Sequence, residues 1–410
     1  MTTDVASRPE PRPRLRFGIF MPPMHPTNED PSLAIGRDLE LMELLDELGY
    51  AEAWIGEHHS GGWEVHGSPE IFIAAAAQRT KHIRFGTGVV STPYHHPYMV
   101  AERIRQLDHI TRGRVMFGMG PGSLPSDAHM LGIETARVRD LLAESIGPIT
   151  RLLNGETVTM KTDWFTLQDA RLQFLSYKEE GVEMAVASQV SPTGSLIAGQ
   201  FGMGLLSLGA TSIAGFNALA SNWAIAEETA REHGQIVDRS KWRLVGPMHI
   251  AETREQARKD VEWGFHRWID YYRHVATLPL APDGVDPIDA MIESGFAVIG
   301  TPDDAVEQLE RMIEKSGGFG AFLHLSGNWA DTAATKRSYE LFARYVAPKI
   351  NRLNLNRVES EQFLRDNHDR FASSMKSAVG AKIDQYTAEK GTRNVAPAFL
   401  DIFSSEKEAQ

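Results

Sequence analysis

Short apolar runs alternate with amphipathic helical segments from residue 15 onward, and this alternation limits the fold more than any other feature of the chain. Alternating β and α segments indicate a parallel sheet with helical crossovers. Eight units favour a closed (β/α)8 TIM barrel over an open doubly wound sheet. The first βα turn lacks G-x-G-x-x-G, which also disfavours a dinucleotide-binding sheet. The predicted strands are residues 15–21, 53–56, 83–90, 114–119, 182–187, 203–208, 244–250 and 321–325.

Several segments fall outside the repeat. Residues 1–14 are polar and predict a flexible N-terminal segment, and the barrel is expected to span residues 15–350. Residues 156–181 form an insertion whose alternating part predicts a hairpin. After a long predicted helix at 254–275, the Pro-rich stretch within 276–295 is either a lid loop or a solvated connection. Residues 351–410 predict a C-terminal helical extension, which is either a solvated tail or a surface for a partner subunit.

Composition excludes several classes of function. A formal net charge of -12 with no basic stripe argues against nucleic-acid binding. The 410 residues include no cysteine, so there are no disulfides, thiolate zinc sites or cysteine nucleophiles. No apolar run is long enough to cross a membrane, and the N-terminus has no signal-peptide pattern. We therefore expect a cytoplasmic protein.

In a barrel of this kind the active site lies at the carboxyl ends of the strands. The residues that follow each apolar run include several histidines, hydroxyls and small residues but few acids. His249 and His324 lie inside strands and are expected to be hydrogen-bonded core histidines. The strand-end candidates are Met21, Pro22, Pro23, Glu57, His58, His59, Ser91, Thr92, Pro93, Gly120, Pro121, Gly122, Ser188, Gln189 and Ser207.

Adjacent histidines raise the alternative of a metal-dependent hydrolase. Strand-borne metal ligands are usually spaced i, i+2, because alternate residues share a face. The pairs here, His58-His59 and His95-His96, are neighbours in sequence, and no H-x-H occurs. We therefore predict no metal site.

Glycines and hydroxyls favour a flat, phosphorylated ligand instead. Glycines recur near the ends of two successive strands, at 85–90 and 117–122, where they permit close approach by a planar ring or relieve barrel crowding. Residues 188–195 carry hydroxyls into a helix start, which is either an anion site or an ordinary cap. Together these features indicate FMN or a deazaflavin relative.

Four motifs resemble the bacterial luciferase-like flavin monooxygenases: WIGEHH, FGTGVVSTPYHHP, RQLDHITRGRVMFGMGPG and FAVIGTPDDAVEQLERM. The resemblance covers residues 15–350. Two further stretches, MPPMHPTNEDPSLA and GSLPSDAHMLGI, are similar to the limonene 1,2-monooxygenase-like branch.

The resemblance implies a two-component monooxygenase. A separate NAD(P)H-dependent flavin reductase would supply reduced FMN, and a flavin C4a-(hydro)peroxide would transfer one oxygen of O2 to a small apolar substrate. Terpene alkene epoxidation and ketone oxygenation both remain open, and a homodimer is expected. The alternatives are an F420-dependent oxidoreductase of the same superfamily, the metal hydrolase and a non-catalytic flavin-binding protein.

The resemblance also assigns residues. His58 is expected to be catalytic, His59 to face the barrel wall or a neighbouring strand, and Glu57 to orient an imidazole or cap the loop. The Gly88-Val89 peptide bond is expected to be cis. Luciferase proper has Cys-Arg where this chain has Gly120-Pro121, so phosphate must be held by other groups and aldehyde-luciferase activity is not implied. The expected cofactor-binding residues are Met21, Gly88, Val89, Ser91, Gly120, Pro121, Gly122, Ala187, Ser188, Gln189, Ser191 and Thr193.

Overall fold

The structure, a computed structural model, describes residues 13–276, 278, 280–282, 284–391 and 395–397. The predicted N-terminal segment, parts of the predicted lid stretch (277, 279 and 283) and the end of the chain lie wholly or largely outside the described residues. The described chain divides into two compact units, up to Asn351 and from Arg352 onward. No helix among the described residues is long and apolar enough to cross a membrane.

Eight parallel strands of the first unit close into a barrel, as predicted. Their spatial order is β3-β2-β1-β13-β10-β9-β8-β5, and β3 pairs with β5 to complete the ring. The strands, in chain order, are β1 (Arg16–Met21), β2 (Glu52–Ile55), β3 (Arg84–Thr87), β4 (Val90–Ser91), β5 (Val115–Gly120), β6 (Val158–Lys161), β7 (Thr166–Ala170), β8 (Glu183–Ser188), β9 (Gly204–Ser207), β10 (Trp242–Gly246), β11 (Met248–Ile250), β12 (Val298–Gly300) and β13 (Ala321–Leu325). The short β4 extends the line of β3 along β5, and β6 and β7 form the predicted hairpin.

Helices surround the barrel and follow the strands. Many begin at proline after a capping residue; the side chain of Asp30, for example, accepts hydrogen bonds from the N–H groups of Ser32 and Leu33. In chain order the helices of this unit are α1 (Pro31–Glu47), α2 (Pro69–Arg79), α3 (Pro97–Ile110), α4 (Pro125–Met130), α5 (Val138–Leu153), α6 (Thr193–Phe201), α7 (Ile213–Glu232), α8 (Arg254–Val261), α9 (Phe265–His274), α10 (Pro287–Glu293), α11 (Pro302–Ser316), α12 (Thr332–Leu341) and α13 (Ala347–Ile350).

Two predictions around residue 250 were wrong. The strand predicted at 244–250 stops at Pro247, and its second half becomes β11, which pairs with the unpredicted β12 outside the barrel. The helix predicted at 254–275 is instead two helices, α8 and α9, separated by residues 262–264. Glycine is needed at position 264, because a side chain there would meet the backbone oxygen of Asn328 at 2.0 Å. Residues 251–297, between β11 and β12, are called the cap segment below.

The barrel interior has two chemically different layers. Apolar side chains fill its middle: Phe20, Trp54, Met116, Ala185, Leu206, Val245 and Leu323. At the amino ends of the strands the interior is charged, and we call Arg16, Glu52, Arg84, Glu183 and Arg243 the ionic floor. Within it, Arg243 lies 2.9 Å from Glu52 and 2.6 Å from Glu183. Arg16 pairs with Glu52 and Arg84 with Glu183, each at 2.8 Å.

The second unit consists of two helices among its described residues. They are α14 (Leu355–Asp366) and α15 (His368–Lys390), in the region where the sequence predicts a helical extension. Large apolar side chains on these helices, such as Phe363, Leu364 and Met375, are exposed.

Candidate active site

The carboxyl ends of the barrel strands bring the predicted site residues to one edge. Met21 ends β1 level with Ile55, and Ser91 ends β4 level with Gly120. Ser188 ends β8 level with Ser207. Pro121 and Gly122 follow β5, Ala187 lies in β8, and Gln189, Ser191 and Thr193 lead from β8 into α6.

His58 lies at this edge between two carboxylates. Its Nδ1 atom is 2.9 Å from Oδ2 of Asp127 at the start of α4, and its Nε2 atom is 3.3 Å from Oε2 of Glu64. Asp127 is itself fixed, because it accepts hydrogen bonds from the backbone N–H of His59 and from the hydroxyl of Ser60. The imidazole is therefore oriented from both ring nitrogens.

These carboxylates favour the charged form of His58. Burial alone would lower the pKa of His58, but the charge of Glu64 and the hydrogen bond to Asp127 raise it above its ordinary value. Burial would raise the pKa of Asp127, yet hydrogen bonds from His58 and Ser60 hold it below its ordinary value. These contacts thus favour the imidazolium form of His58.

The second histidine of the pair serves a different group. The Nε2 atom of His59 is 3.0 Å from Oε1 of Glu57, and the Nε2 atom of His95, which follows β4, is 2.5 Å from the same oxygen. The other oxygen of Glu57 accepts the backbone N–H of Ser91 at 2.6 Å. Glu57 thus orients two imidazoles and also fixes the end of β4.

The same three side chains have the composition of a metal site. Their ligand atoms lie within 4.8 Å of one another. Each contact is also a hydrogen bond, with one carboxylate oxygen accepting from two N–H groups, so the geometry is accounted for without an ion. The prediction that the chain holds no metal stays a prediction.

An anion-binding geometry occurs where β8 runs into α6. The hydroxyls of Ser188 and Ser195 are buried, and within the described part of the chain they have no hydrogen-bond partner and no side chain caps α6. Gly194 lets the helix start pack on the strand end, since a Cβ there would lie 2.5 Å from the oxygen of Ala187. Free N–H groups of a first helical turn and two orphaned hydroxyls are the donors that a phosphate takes. These residues therefore fit the phosphate of FMN.

The glycines near the ends of β3 and β5 are explained by crowding in the barrel wall and not by a planar ligand. A Cβ on Gly86 would lie 2.3 Å from the ring of Trp54, and one on Gly118 would lie 2.1 Å from the oxygen of Thr87. One on Gly120 would lie 2.5 Å from Val89. Crowding within the barrel wall accounts for these glycines, so they are not evidence for a planar ligand. The Gly88-Val89 peptide bond is cis, as the resemblance predicted.

An aromatic cluster packs beside this edge. Tyr271 of α9 contacts Trp63 at 5.4 Å between ring centroids, and Trp268 contacts Trp329 at 5.1 Å. Both Trp268 and Trp329 are buried, and their indole N–H groups have no partner. Phe265 completes the cluster. The cap segment thus brings an apolar surface close to the loop that carries His58.

Two strand histidines do not belong to this edge. His249 is hydrogen-bonded to Asp260 at 3.2 Å, as predicted for a core histidine. His324 is buried among Tyr50, Tyr339 and Phe342, and neither ring nitrogen has a partner, so the expectation of a hydrogen-bonded histidine was wrong there. Burial lowers the pKa of His324 to about 3.

Sequence reasoning missed the partners of His58. These partners are Asp127 and Glu64, and Tyr271 in turn holds Glu64. All three lie in loops or helices rather than at the ends of strands. Asp127 had a usable signal, because Pro125-Ser126-Asp127 is a helix start directly after a predicted strand. Glu64 and Tyr271 meet only through the cap segment, which no local pattern indicates.

Comparison with known proteins gives consistent matches. A family described as luciferase-like monooxygenase matches residues 15–318. Limonene 1,2-monooxygenase of Rhodococcus erythropolis is 53% identical over 339 residues, which cover 82% of this chain and 87% of that protein. A 4-hydroxyprotoasukamycin monooxygenase of Streptomyces nodosus subsp. asukaensis is 47% identical over 344 residues, covering 82% and 93%.

A solved structure extends this similarity to three dimensions. It is the oxygenating constituent of 3,6-diketocamphane monooxygenase from Pseudomonas putida, a type II Baeyer-Villiger monooxygenase in complex with FMN. It superimposes with a TM-score of 0.69 at 25% identity, covering 82% of this chain and 99% of that one.

Proposed function

The chain belongs to the luciferase-like monooxygenase family and is therefore a monooxygenase, and we propose that reduced FMN from a separate NAD(P)H-dependent reductase is its cofactor. The proposed reaction places one oxygen atom of O2 in a small apolar substrate, by alkene epoxidation or ketone oxygenation. The names of the relatives support this choice: one acts on limonene, and one oxygenates a diketocamphane with FMN. We include in the proposal a homodimer, a cytoplasmic location and the division of the chain at about residue 350.

One observation carries the proposal: the orphaned hydroxyls of Ser188 and Ser195 beside an uncapped helix start, at the edge of the barrel that also carries His58. When bound, reduced FMN supplies the electrons that activate O2. Ser188, Ser195 and the N–H groups of the first turn of α6 would hold its phosphate. Gln189 and Ser191 lie between β8 and α6, Thr193 begins α6, and all three are proposed as further phosphate contacts.

The protein's own groups would then control protons and water. His58, held by Asp127 at 2.9 Å, presents a protonated imidazole at the mouth and is proposed as the catalytic acid. The aromatic cluster of the cap segment supplies an apolar wall for a hydrophobic substrate and excludes water from the reaction. Met21, Ser91 and the segment from Gly120 to Gly122 remain proposed cofactor contacts, together with Gly88, Val89 and Ala187.

Anaerobic titration with reduced FMN, and in parallel with reduced F420, tests the cofactor. Tight binding of FMN, followed on mixing with O2 by product from a panel of terpenes and ketones, supports the proposal. Binding of F420 alone, or FMN binding with no oxygenated product, contradicts it. His58→Asn is expected to lower product formation by about 100-fold or more while the FMN affinity is retained. Light scattering of the purified protein tests the homodimer.

A further inference from the structure

Glu64 has a position that the mechanism above leaves unused. The backbone of Glu64 pairs with that of Met24, which follows β1, in an isolated antiparallel bridge. On either side, the N–H of His25 donates to the oxygen of Trp63 at 2.8 Å, and the N–H of Val65 donates to the oxygen of Pro23 at 3.2 Å. The loop that follows His58 is therefore held against the barrel edge, and the side chain of Glu64 is directed inward with 6% exposed.

Tyr271 fixes the orientation of the Glu64 carboxyl group. The buried Tyr271 hydroxyl donates to Oε1 of Glu64 at 2.7 Å. The other oxygen, Oε2, then faces Nε2 of His58 at 3.3 Å and has no aligned hydrogen bond. The hydroxyl of Ser123 also approaches this nitrogen, at the longer distance of 3.5 Å. Asp127 contacts Nδ1 of His58, and Glu64 is the closest polar side chain to the other ring nitrogen, Nε2.

Counting protons gives the state of this pair. Burial would raise the pKa of Asp127, but hydrogen bonds from His58 and Ser60 hold it below its ordinary value, which favours a carboxylate that accepts from the Nδ1–H of His58. Tyr271 uses its one hydrogen on Oε1. Nε2 of His58 and Oε2 of Glu64 lie 3.3 Å apart in a buried site, and the hydroxyl of Ser123 is the other polar group near Nε2. One proton held by this pair makes the contact attractive, either as imidazolium with carboxylate or as imidazole with carboxylic acid.

We propose that Glu64 and His58 share one proton, and that Glu64, held by Tyr271, is a positioning residue that keeps His58 protonated at the mouth of the barrel. The functional meaning of this inference rests on the proposed function, in which His58 is the acid. The shared proton itself follows from the contacts of the protein alone.

The surrounding charges act in the same direction. Glu57 and Asp127 add negative charge near His58, while the neighbouring His59 opposes them. Around Glu64, Asp127 adds negative charge and His66 opposes it; the hydroxyls of Tyr271 and Tyr272 are neutral, because burial and Glu64 raise the pKa of each above its ordinary value. Burial raises the pKa of Glu64 itself, while the charge of His58 lowers it, so the charge of each group changes the pKa of the other.

The direct test is the pKa of His58 in the cofactor-free protein, followed by NMR with 13C-labelled histidine. The His58 signal is assigned as the one missing from His58→Asn. Glu64→Gln keeps the side-chain shape and removes the charge, and is expected to lower the His58 pKa by roughly one unit or more. Glu64→Asp retracts the carboxylate by one methylene and is expected to give a smaller fall. Glu70→Gln is the matched control, because Glu70 is buried too but contacts Ser68 and Arg103, and should leave His58 unchanged.

The outcomes separate this inference from the proposed function. An unchanged His58 pKa in Glu64→Gln, with native spectra, overturns the shared proton whatever the enzyme does with flavin. If Glu64→Gln does not fold, an unchanged pKa in Glu64→Asp overturns it instead. If Glu64→Gln lowers the His58 pKa but the protein does not bind FMN, the shared proton is supported and only the proposed cofactor is contradicted. In the active enzyme, the alkaline limb of the pH–rate profile should move to lower pH in Glu64→Gln by the same amount as the NMR pKa.

Discussion

Glu52→Gln should destabilise the barrel more than any change at an exposed ion pair. Glu52 is fully buried in the ionic floor and accepts from Arg16 at 2.8 Å, from Trp54 at 2.9 Å and from Arg243 at 2.9 and 3.1 Å. Glutamine keeps the shape of the side chain but turns an N–H group towards one of these donors. Arg243 then retains only Glu183 as a charged partner in a site that water does not reach.

Two separate considerations give a similar loss of folding free energy for Glu52→Gln. Removing one member of a buried ion pair typically costs about 3–5 kcal/mol, because the remaining charge is left without compensation. Separately, burial would raise the pKa of Glu52, but Arg243 and Arg16 lower it from 4.5 to about 2. That difference is linked to roughly 3 kcal/mol of folding free energy. We therefore expect a loss of about 3–5 kcal/mol at pH 7.

Urea denaturation followed by circular dichroism measures this loss. Because the folded-state pKa of Glu52 is depressed, its contribution is complete above about pH 4.5 and disappears as the pH falls towards 2. The difference between the wild type and Glu52→Gln should shrink over the same range. Glu340→Gln is the control, since Glu340 also pairs with two arginines, Arg337 and Arg344, but in solvent. If both variants shift the midpoint equally at pH 7, the reasoning about the ionic floor is refuted.

Three further predictions concern the phosphate geometry, the barrel wall and the buried imidazole. Ser188→Ala and Ser195→Ala should each weaken FMN binding about 10- to 100-fold by titration, whereas the exposed Ser221→Ala should not; equal affinities in all three would contradict the phosphate assignment. Gly118→Ala should lower the free energy of unfolding by about 1–3 kcal/mol through overpacking, measured by urea denaturation; a free energy equal to that of the wild type would show that the wall adjusts freely. His324→Phe should be stabilising, increasingly so below about pH 6.5, because the wild-type imidazole is protonated only in the unfolded chain until the pH nears 3; a gain that does not change with pH would contradict this.

The barrel was predictable because its signals are local. Each strand is an apolar run and each helix an amphipathic one, and the predicted strands overlap the observed ones at all eight positions of the ring. The errors arose where a distant segment decides the outcome. Pro247 ends β10 by removing a backbone donor, but only the pairing with Val298–Gly300 makes β11 a strand of another sheet.

The site was predictable to the same extent and for the same reason. His58 and Ser188 follow strands, so their place at the mouth is a consequence of the fold. Their partners are long-range: Tyr271 reaches Glu64 across 207 positions of sequence. The glycines wrongly suggested a planar ligand, since Gly86 and Gly118 make room for Trp54 and for backbone instead. A sequence shows that space is needed but not what fills it.

The cap segment has a core of its own, formed by Ala257, Val261, Phe265, Ile269, Ile288 and Met291 among others, and its two ends are clamped together by β11 and β12. A segment with a core of its own is the kind of unit that can open locally while the rest of a protein stays folded. Because Tyr271 belongs to it, any such opening would separate the Tyr271 hydroxyl from Glu64. We therefore expect opening of the cap segment to change the surroundings of His58 as well. Hydrogen exchange in the cap should consequently speed up when Tyr271 is replaced by phenylalanine, while exchange in the barrel strands stays as slow as before.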